Sequence, residues 1–252
     1  MAGSGEAKRS VHQRIADDLR AAIRAGEYHD GDRLPGENEI MKRYGVARVT
    51  SREALAVLRN EGVAVARRGS GVYVRLFAPI RRHGSGRLSR ERWGSGRDVW
   101  ATEVQERRPE VDPITVTRTE VPADIGSTLG IEAGSTVVLR DRRYVVEGRP
   151  VQLARSYVPL DLAAGTRIEE ADTGPGGVYA RLDELGHGPV RFRESVRARM
   201  PGPEEQTALE LPSGTPVIEI VRVAQDDGGR SVEVNVMTLD SSCYVLDYDV
   251  SA

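Results

Sequence analysis

The sequence predicts an α+β protein built in two parts, helices first and an antiparallel sheet after them. Three observations predict it. Apolar residues recur at helical spacing as far as Asn60, period-two stretches dominate beyond Pro113, and charge is divided unevenly along the chain. At 252 residues the chain is long enough for two ordinary domains, and 39% hydrophobic with 29% charged residues marks a folded globular protein. The net charge of −2 conceals an asymmetry: residues 1–112 hold 22 basic against 16 acidic side chains, residues 113–252 hold 14 against 22. The first part suits a polyanion, which the second would repel.

Ile15, Ala16, Leu19, Ala22 and Ile23 share one helical face from Val11 to Arg24, and Gly26 stops that helix. The turn residues Asp30-Gly31-Asp32 and Pro35-Gly36 lead to a short helix, Glu37 to Tyr44, with Ile40 and Met41 inward and Gly45 as its end. A third helix begins at Val46 to Arg48 and runs to about Asn60, closed by Gly62. Val63 to Val74 then reads as two short strands joined at Arg68-Gly69-Ser70-Gly71.

Residues 77–112, with eight arginines among six acidic residues and glycines at 84, 86, 94 and 96, read as a linker or ligand loop. Strands are expected at 136–146, 151–157, 190–200, 217–224, 231–238 and 244–250. Helices fit at 121–129, 178–185 and 203–209, where Pro122 and Pro203 suit a first turn. The expected organisation is therefore 8–76, 77–112 and 113–252. Arg191, Arg193, Arg197 and Arg199 share one side of a strand, expected to be a solvated outer face. Thr173-Gly174-Pro175-Gly176-Gly177 lacks the spacing of a phosphate-cradling loop and reads as a turn.

No apolar run approaches the roughly 20 residues of a membrane span, and Met1 to Ser10 carries no apolar signal segment, so no membrane is expected and the cytoplasm is. Cys243 is the single cysteine, and His12, His29, His83 and His187 are scattered, which leaves no basis for a disulfide or a metal site. Gly-x-Ser-x-Gly, His-Glu-x-x-His and Gly-x-Gly-x-x-Gly patterns are all missing, so neither catalytic residues nor a cofactor are expected.

Two helices joined by a glycine turn form a helix-turn-helix layout, whose second helix enters the DNA major groove with its first turns at the base edges. On the third helix Ala54, Leu55, Val57 and Leu58 fall on one side, and Arg48, Arg52, Ala56 and Arg59 on the other. Arg48 and Arg52 can donate to phosphate or bidentately to guanine, and Thr50 offers a hydroxyl. The alternative is that these arginines merely coat an exposed helix. The Gly-tipped hairpin with Arg67, Arg68, Gly69 and Ser70 favours the first reading, because it supplies a wing beside the helix.

The run from Gly31 to Val74, with Asp32-Arg33-Leu34-Pro35-Gly36-Glu37, Tyr44-Gly45-Val46-Ala47-Arg48-Val49-Thr50-Ser51-Arg52-Glu53-Ala54-Leu55 and Arg68-Gly69-Ser70-Gly71-Val72-Tyr73-Val74, resembles the winged helix-turn-helix of the GntR transcription regulators. The resemblance implies operator contacts from Arg48 and Arg52, with help from Glu37, Asn38, Thr50 and the wing tip. Gly36, Asn38, Ala47 and Val49 depart from the usual residues and leave the operator sequence open.

From about residue 85 to 250 the chain resembles the UTRA effector-binding domain of the HutC subfamily, whose fold is similar to chorismate lyase. Leu139-Arg140-Asp141-Arg142-Arg143-Tyr144, Ser156-Tyr157-Val158-Pro159, Val178-Tyr179-Ala180-Arg181-Leu182 and Val232-Glu233 carry it. It implies an effector site containing Arg142 and Glu233, together with Tyr144, Tyr157, Tyr179 and Asn235. Arg87, Ser89 and Arg90 are added if the loop at 86–93 folds over the ligand, with Trp93 as an apolar wall; a flexible basic linker that touches DNA is the equal alternative. Arg142 would pair with a carboxylate or other anion and Glu233 would accept from a hydroxyl or ammonium; a structural ion pair on the sheet is the alternative. Tyr144, Gly177 and Leu239 stand where sugar-phosphate-binding relatives have an arginine, a hydroxyl and a tyrosine, which argues against that ligand. The expected protein is a homodimeric repressor that small-molecule binding releases from double-stranded operator DNA.

Overall fold

The computed structural model describes residues 10–67, 69–84, 86–95, 104, 107 and 109–249. Contacts divide them into two compact units, one extending to Ala78 and the other carrying every element from residue 79 onward except the turn 212–215.

In the first unit, α1 (Val11–Arg24) buries Ile15, Ala16, Leu19 and Ile23, the apolar stripe its spacing predicts. α2 (Glu37–Tyr44) starts where the Glu39 carboxylate accepts the Gly36 N–H at 2.6 Å, and ends at Gly45, whose φ of 65° is left-handed. α3 (Arg48–Asn60) turns Ser51, Ala54, Leu55 and Leu58 inward. β1 (Ala64–Arg67) and β2 (Gly71–Val74) pair antiparallel, Ala64 opposite Val74 and Arg67 opposite Gly71. Leu34, Ile40, Ala64 and Val74 close the core. The Arg20 guanidinium donates to both Glu61 carboxylate oxygens, at 2.9 and 2.5 Å, and so ties α1 to the end of α3.

The second unit is built on a six-stranded antiparallel sheet in the order β4-β5-β6-β9-β8-β7. Its strands are β4 (Pro109–Glu120), β5 (Thr136–Val146), β6 (Arg149–Pro159), β7 (Arg191–Arg199), β8 (Val217–Gln225) and β9 (Ser231–Asp240). A smaller parallel pair joins β3 (Ile80–His83) to β10 (Tyr244–Asp247). One sheet face is covered by α4 (Arg90–Gly94), α6 (Leu160–Ala163) and α7 (Gly177–Glu184), around Trp93, Val138, Val158, Ile168 and Leu182. The other packs on α5 (Ala123–Leu129) through Ile125, Leu129, Val137, Tyr157 and Val234; α8 (Pro203–Ala208) lies beyond it along the chain.

The described parts of 77–112 are not a simple linker. They hold β3, α4 and the start of β4, all in the second unit. β4 escapes a periodicity search because Pro109 and Pro113 interrupt it; it is an edge strand, and its register shifts between Val111 and Ile114, the setting in which proline is tolerated. Arg191, Arg193 and Arg197 on the opposite edge strand are exposed as expected, but Arg199 is clasped by Glu205 and Glu219. Among the described residues no helix is long and apolar enough to cross a membrane, and no cluster of potential metal ligands occurs.

Candidate functional sites

Because α3 spends one side on the core, its outward side at the N-terminal end presents Arg48, Val49, Arg52 and Glu53 to solvent, with Thr50 half-buried. Glu37, the first residue of α2, stands between the two arginines. Arg52 Nε donates to Glu37 Oε1 at 3.2 Å, and Arg48 Nε lies 3.8 Å from Glu37 Oε2. Arg48 Nη2 also donates to Asn38 Oδ1 at 3.0 Å. The arginine side chains are nonetheless 58% and 65% exposed, so one carboxylate orients two guanidinium groups without consuming their donors. At the hairpin tip Gly69 has φ 71°, Ser70 and Tyr73 share a hydroxyl hydrogen bond, and the Arg67 guanidinium lies 4.3 Å from the Tyr73 ring centroid. Arg68 lies outside the described residues. The structure therefore brings Arg48, Arg52, Glu37 and Asn38 together on one exposed patch.

The second site is a cavity of about 390 Å³ on the helix-covered face of the sheet, within the size range of small-ligand pockets. Side chains alternate along strands, so Arg140, Arg142 and Tyr144 of β5 point into it with Glu233, Asn235 and Met237 of β9. Gln152, Arg222 and Arg82 complete the floor, and 173–174 with Gly176-Gly177 form a wall. Arg140 donates to the Ile168 and Ala171 carbonyls at 2.6 and 2.9 Å and to that of Glu170, so it organises the segment before that wall. Burial, with the like charge of Arg142, lowers its pKa to about 10. Arg142 reaches the Ser156 hydroxyl and lies 5.8 Å from the Tyr144 ring centroid.

A hydrogen-bonded chain crosses the floor. Tyr179 Oη donates to Glu233 Oε2 at 2.7 Å and accepts from Arg222 Nη1 at 3.4 Å; Arg222 Nε donates to Glu194 Oε1 at 2.8 Å, and Arg82 Nη2 donates to the same oxygen at 2.9 Å. Burial and the Glu233 carboxylate raise the Tyr179 pKa, keeping its proton on the bond. Burial opposes charge on Arg222, yet Tyr179 and Glu194 hold its pKa above the ordinary value. Arg82, Arg140, Arg142 and Arg222 thus line the cavity with the Glu233 carboxylate, and Glu194 pairs with Arg82 and Arg222. Asp172 also lines the cavity, but its side chain is 87% exposed and screened by water. Arg140 Nε and Asn235 Oδ1 are buried without a hydrogen-bond partner, the condition that makes a polar pocket receptive to a ligand carrying both an acceptor and a donor. A second cavity, about 720 Å³, opens on the other sheet face; Asp141 and Arg155 there are already paired at 3.0 Å.

Arg142, Tyr144, Tyr179, Glu233 and Asn235 therefore meet as the sequence suggested. Tyr157 does not. It sits one residue from Ser156 on β6, so its side chain projects through the opposite face into the α5 cluster. Arg90 is turned to Asp183 at 2.7 Å with its side chain 68% exposed, and Ser89 is the N-cap residue of α4; neither lines the cavity. The Arg87 side chain lies outside the described residues. Trp93 is buried behind the pocket, donating to the Leu88 carbonyl at 3.2 Å and edge-on to Tyr179. Sequence reasoning missed Arg82, Arg140, Arg222 and Gln152. Arg140 was visible beside Arg142, and two-residue alternation places both on one face.

Comparison with known proteins divides the chain similarly. Residues 11–74 match the family described as bacterial regulatory proteins, gntR family, and residues 104–244 match the UTRA domain. An HTH-type transcriptional regulator of Streptomyces coelicolor is 31% identical, covering 93% of this chain and 90% of its own length. The HTH-type transcriptional regulator GgaR of Escherichia coli is 30% identical, covering 94% and 89%. A crystal structure of a GntR-family transcriptional regulator superposes with a TM-score of 0.61 at 26% identity, covering 97% of this chain and 99% of that one.

Proposed function

From the premise that this chain belongs to the GntR family of bacterial regulatory proteins, a DNA-binding helix-turn-helix joined to a UTRA effector domain rather than an enzyme, we propose that it is a homodimeric repressor released from its operator by a small anionic effector. One observation carries this reading. The chain that presents Arg48 and Arg52 outward also holds a cavity lined by four guanidinium groups, with a buried acceptor at Asn235 and a buried donor at Arg140. A carboxylate or phosphate set against Arg142, with a hydroxyl or amine donating to Asn235 or Glu233, matches those groups.

The same pocket suggests how occupancy reaches DNA. Arg82 belongs to β3, which starts two residues after the first unit's last, and its bond to Glu194 ends the chain that begins at Glu233. A ligand that re-pairs Glu233 or Arg222 changes what holds β3. In a dimer reading half-sites about 34 Å apart, altered head placement weakens the operator complex, and linkage requires the operator to weaken effector binding by the same factor.

The test is a thermal-shift screen of small carboxylates and phosphates on the full-length protein, followed by gel shifts on a duplex selected by the protein from random sequence. A ligand at 100 times its Kd stabilises by about 2.7 kcal/mol. A stabilising anion that Arg142→Ala no longer senses, and that loosens the DNA complex, supports the proposal. A stabilising anion with no effect on DNA affinity overturns the release mechanism.

A further inference from the structure

Val49 is the outward-facing residue that the arginine-based reading leaves unused. On a helical wheel it lies almost opposite the buried stripe of Ser51, Ala54, Leu55 and Leu58, in the first turn of α3, between Arg48 and Thr50. It is 63% exposed, the most exposed large hydrophobic residue among those described. Its neighbours on this face are Arg52 and Glu53, each already in contact with a partner, Glu37 at 3.2 Å and His12 at 3.1 Å respectively. An isolated exposed valine is ordinary on a protein surface. Here, however, the isopropyl group stands among the very groups that enter the groove, where a β-branched residue offers the helix no propensity advantage. It can neither donate nor accept, so it has no hydrogen-bond partner on phosphate, sugar or the polar edges of guanine, cytosine and adenine. One standard base carries an apolar group into the major groove, thymine, through its 5-methyl.

We propose that Val49 reads a thymine by packing against its 5-methyl group, which makes it a specificity-determining residue of the DNA interface. The inference rests on the reading of α3 as the recognition helix. It assigns the position of Val49 an apolar preference that Arg48 and Arg52 cannot supply, and it commits each half-site to one thymine beside the bases those arginines contact.

Full-length protein selects duplexes from a random library, and the winning duplex is remade with one thymine at a time replaced by deoxyuridine, which removes the methyl and leaves the pairing edge intact. Wild-type protein should lose about fourfold in affinity at one thymine per half-site, the factor expected for one methyl-sized group. Val49→Ala, which trims a largely exposed side chain, should bind thymine and uracil duplexes alike, and its melting temperature should match wild type. The double-mutant cycle then isolates the contact. If wild type tolerates every uracil, or if Val49→Ala shows the same loss at the same base, the contact is refuted while DNA binding stands. If no duplex is enriched over random sequence, both the contact and the reading of α3 fall.

Discussion

Glu37 illustrates how a single side chain gives two arginines their direction. Its carboxylate lies 3.2 Å from Arg52 and 3.8 Å from Arg48, so truncation of one guanidinium leaves the other held. Arg52→Ala should abolish sequence-specific gel-shift complexes while leaving the oligomeric state unchanged, since a bidentate guanine contact is worth about 1–3 kcal/mol in discrimination and a symmetric operator would lose it twice; undiminished affinity for the selected duplex would remove α3 from the interface. Tyr179 is the corresponding centre of the pocket. Tyr179→Phe deletes a hydroxyl that donates to Glu233 and accepts from Arg222, both buried. Stability should fall by about 1–3 kcal/mol in urea unfolding, and an unchanged midpoint would show that water or a neighbour satisfies the freed groups. The outward arginines of α3 were legible in the sequence because a helix face follows from spacing alone. Arg222 and Arg82 were not, since nothing local distinguishes a charged residue inside a strand that turns toward a cavity from one that turns toward water.

Among the elements, the loop before α7 shows why a glycine-rich turn became a pocket wall. Gly176 has φ 79°, and a Cβ built there would lie 2.5 Å from the Trp93 carbonyl oxygen and 2.6 Å from the Ala180 Cβ. Gly176→Ala should therefore destabilise the protein by at least about 1–3 kcal/mol, through both backbone strain and overlap; a chemical-denaturation midpoint equal to wild type would contradict the packing of α4 on this turn. β7 and α8 are joined by a different device. Arg199 donates through both terminal nitrogens to Glu205, each at 2.6 Å, and through Nε to Glu219 at 2.7 Å. The Arg199 hydrogen bonds, helped by the Gly202 N–H and Thr238, lower the Glu205 pKa from 4.5 to about 2. A depressed carboxylate stabilises the fold above the unfolded-state value, and that contribution is lost as pH falls from about 5 toward 2. Glu205→Gln should thus be less stable at pH 7 and show a shallower loss of stability on acidification; a pH profile parallel to wild type would rule out this coupling.

Strand identity was readable where β-branched residues cluster, as in 136–146, or alternate, as in 231–238. Strand face was harder. Tyr157 follows Ser156, which meets Arg142 in the pocket, and a shift of one residue sends it to the α5 side. β3 and β4 were hidden for separate reasons: one is four residues long and arginine-rich, the other is broken by proline at a sheet edge.

For the whole molecule, both units concentrate arginine, one in an exposed patch and the other, although acidic in total, in a guanidinium-lined cavity. The proposal ties them by thermodynamic reciprocity. Whatever factor separates operator affinities with and without effector must also separate effector affinities with and without operator. Titrating an anion found by thermal shift into free and DNA-saturated protein by calorimetry measures the second factor; equal anion affinity in the two states would mean that the two sites are not coupled. By itself the sequence determined the α+β order, the helix-turn-helix and the arginines it turns outward, because helix and strand periods are properties of neighbouring residues. The tertiary structure alone decided that Arg82, Arg140, Arg142 and Arg222 converge with Glu233 and Asn235, and that Tyr157 stays apart. Cross-strand register and sheet face bring together residues distant in sequence, as where Gln152 lies opposite Leu239, and that pairing is set by packing of the whole unit rather than by local pattern.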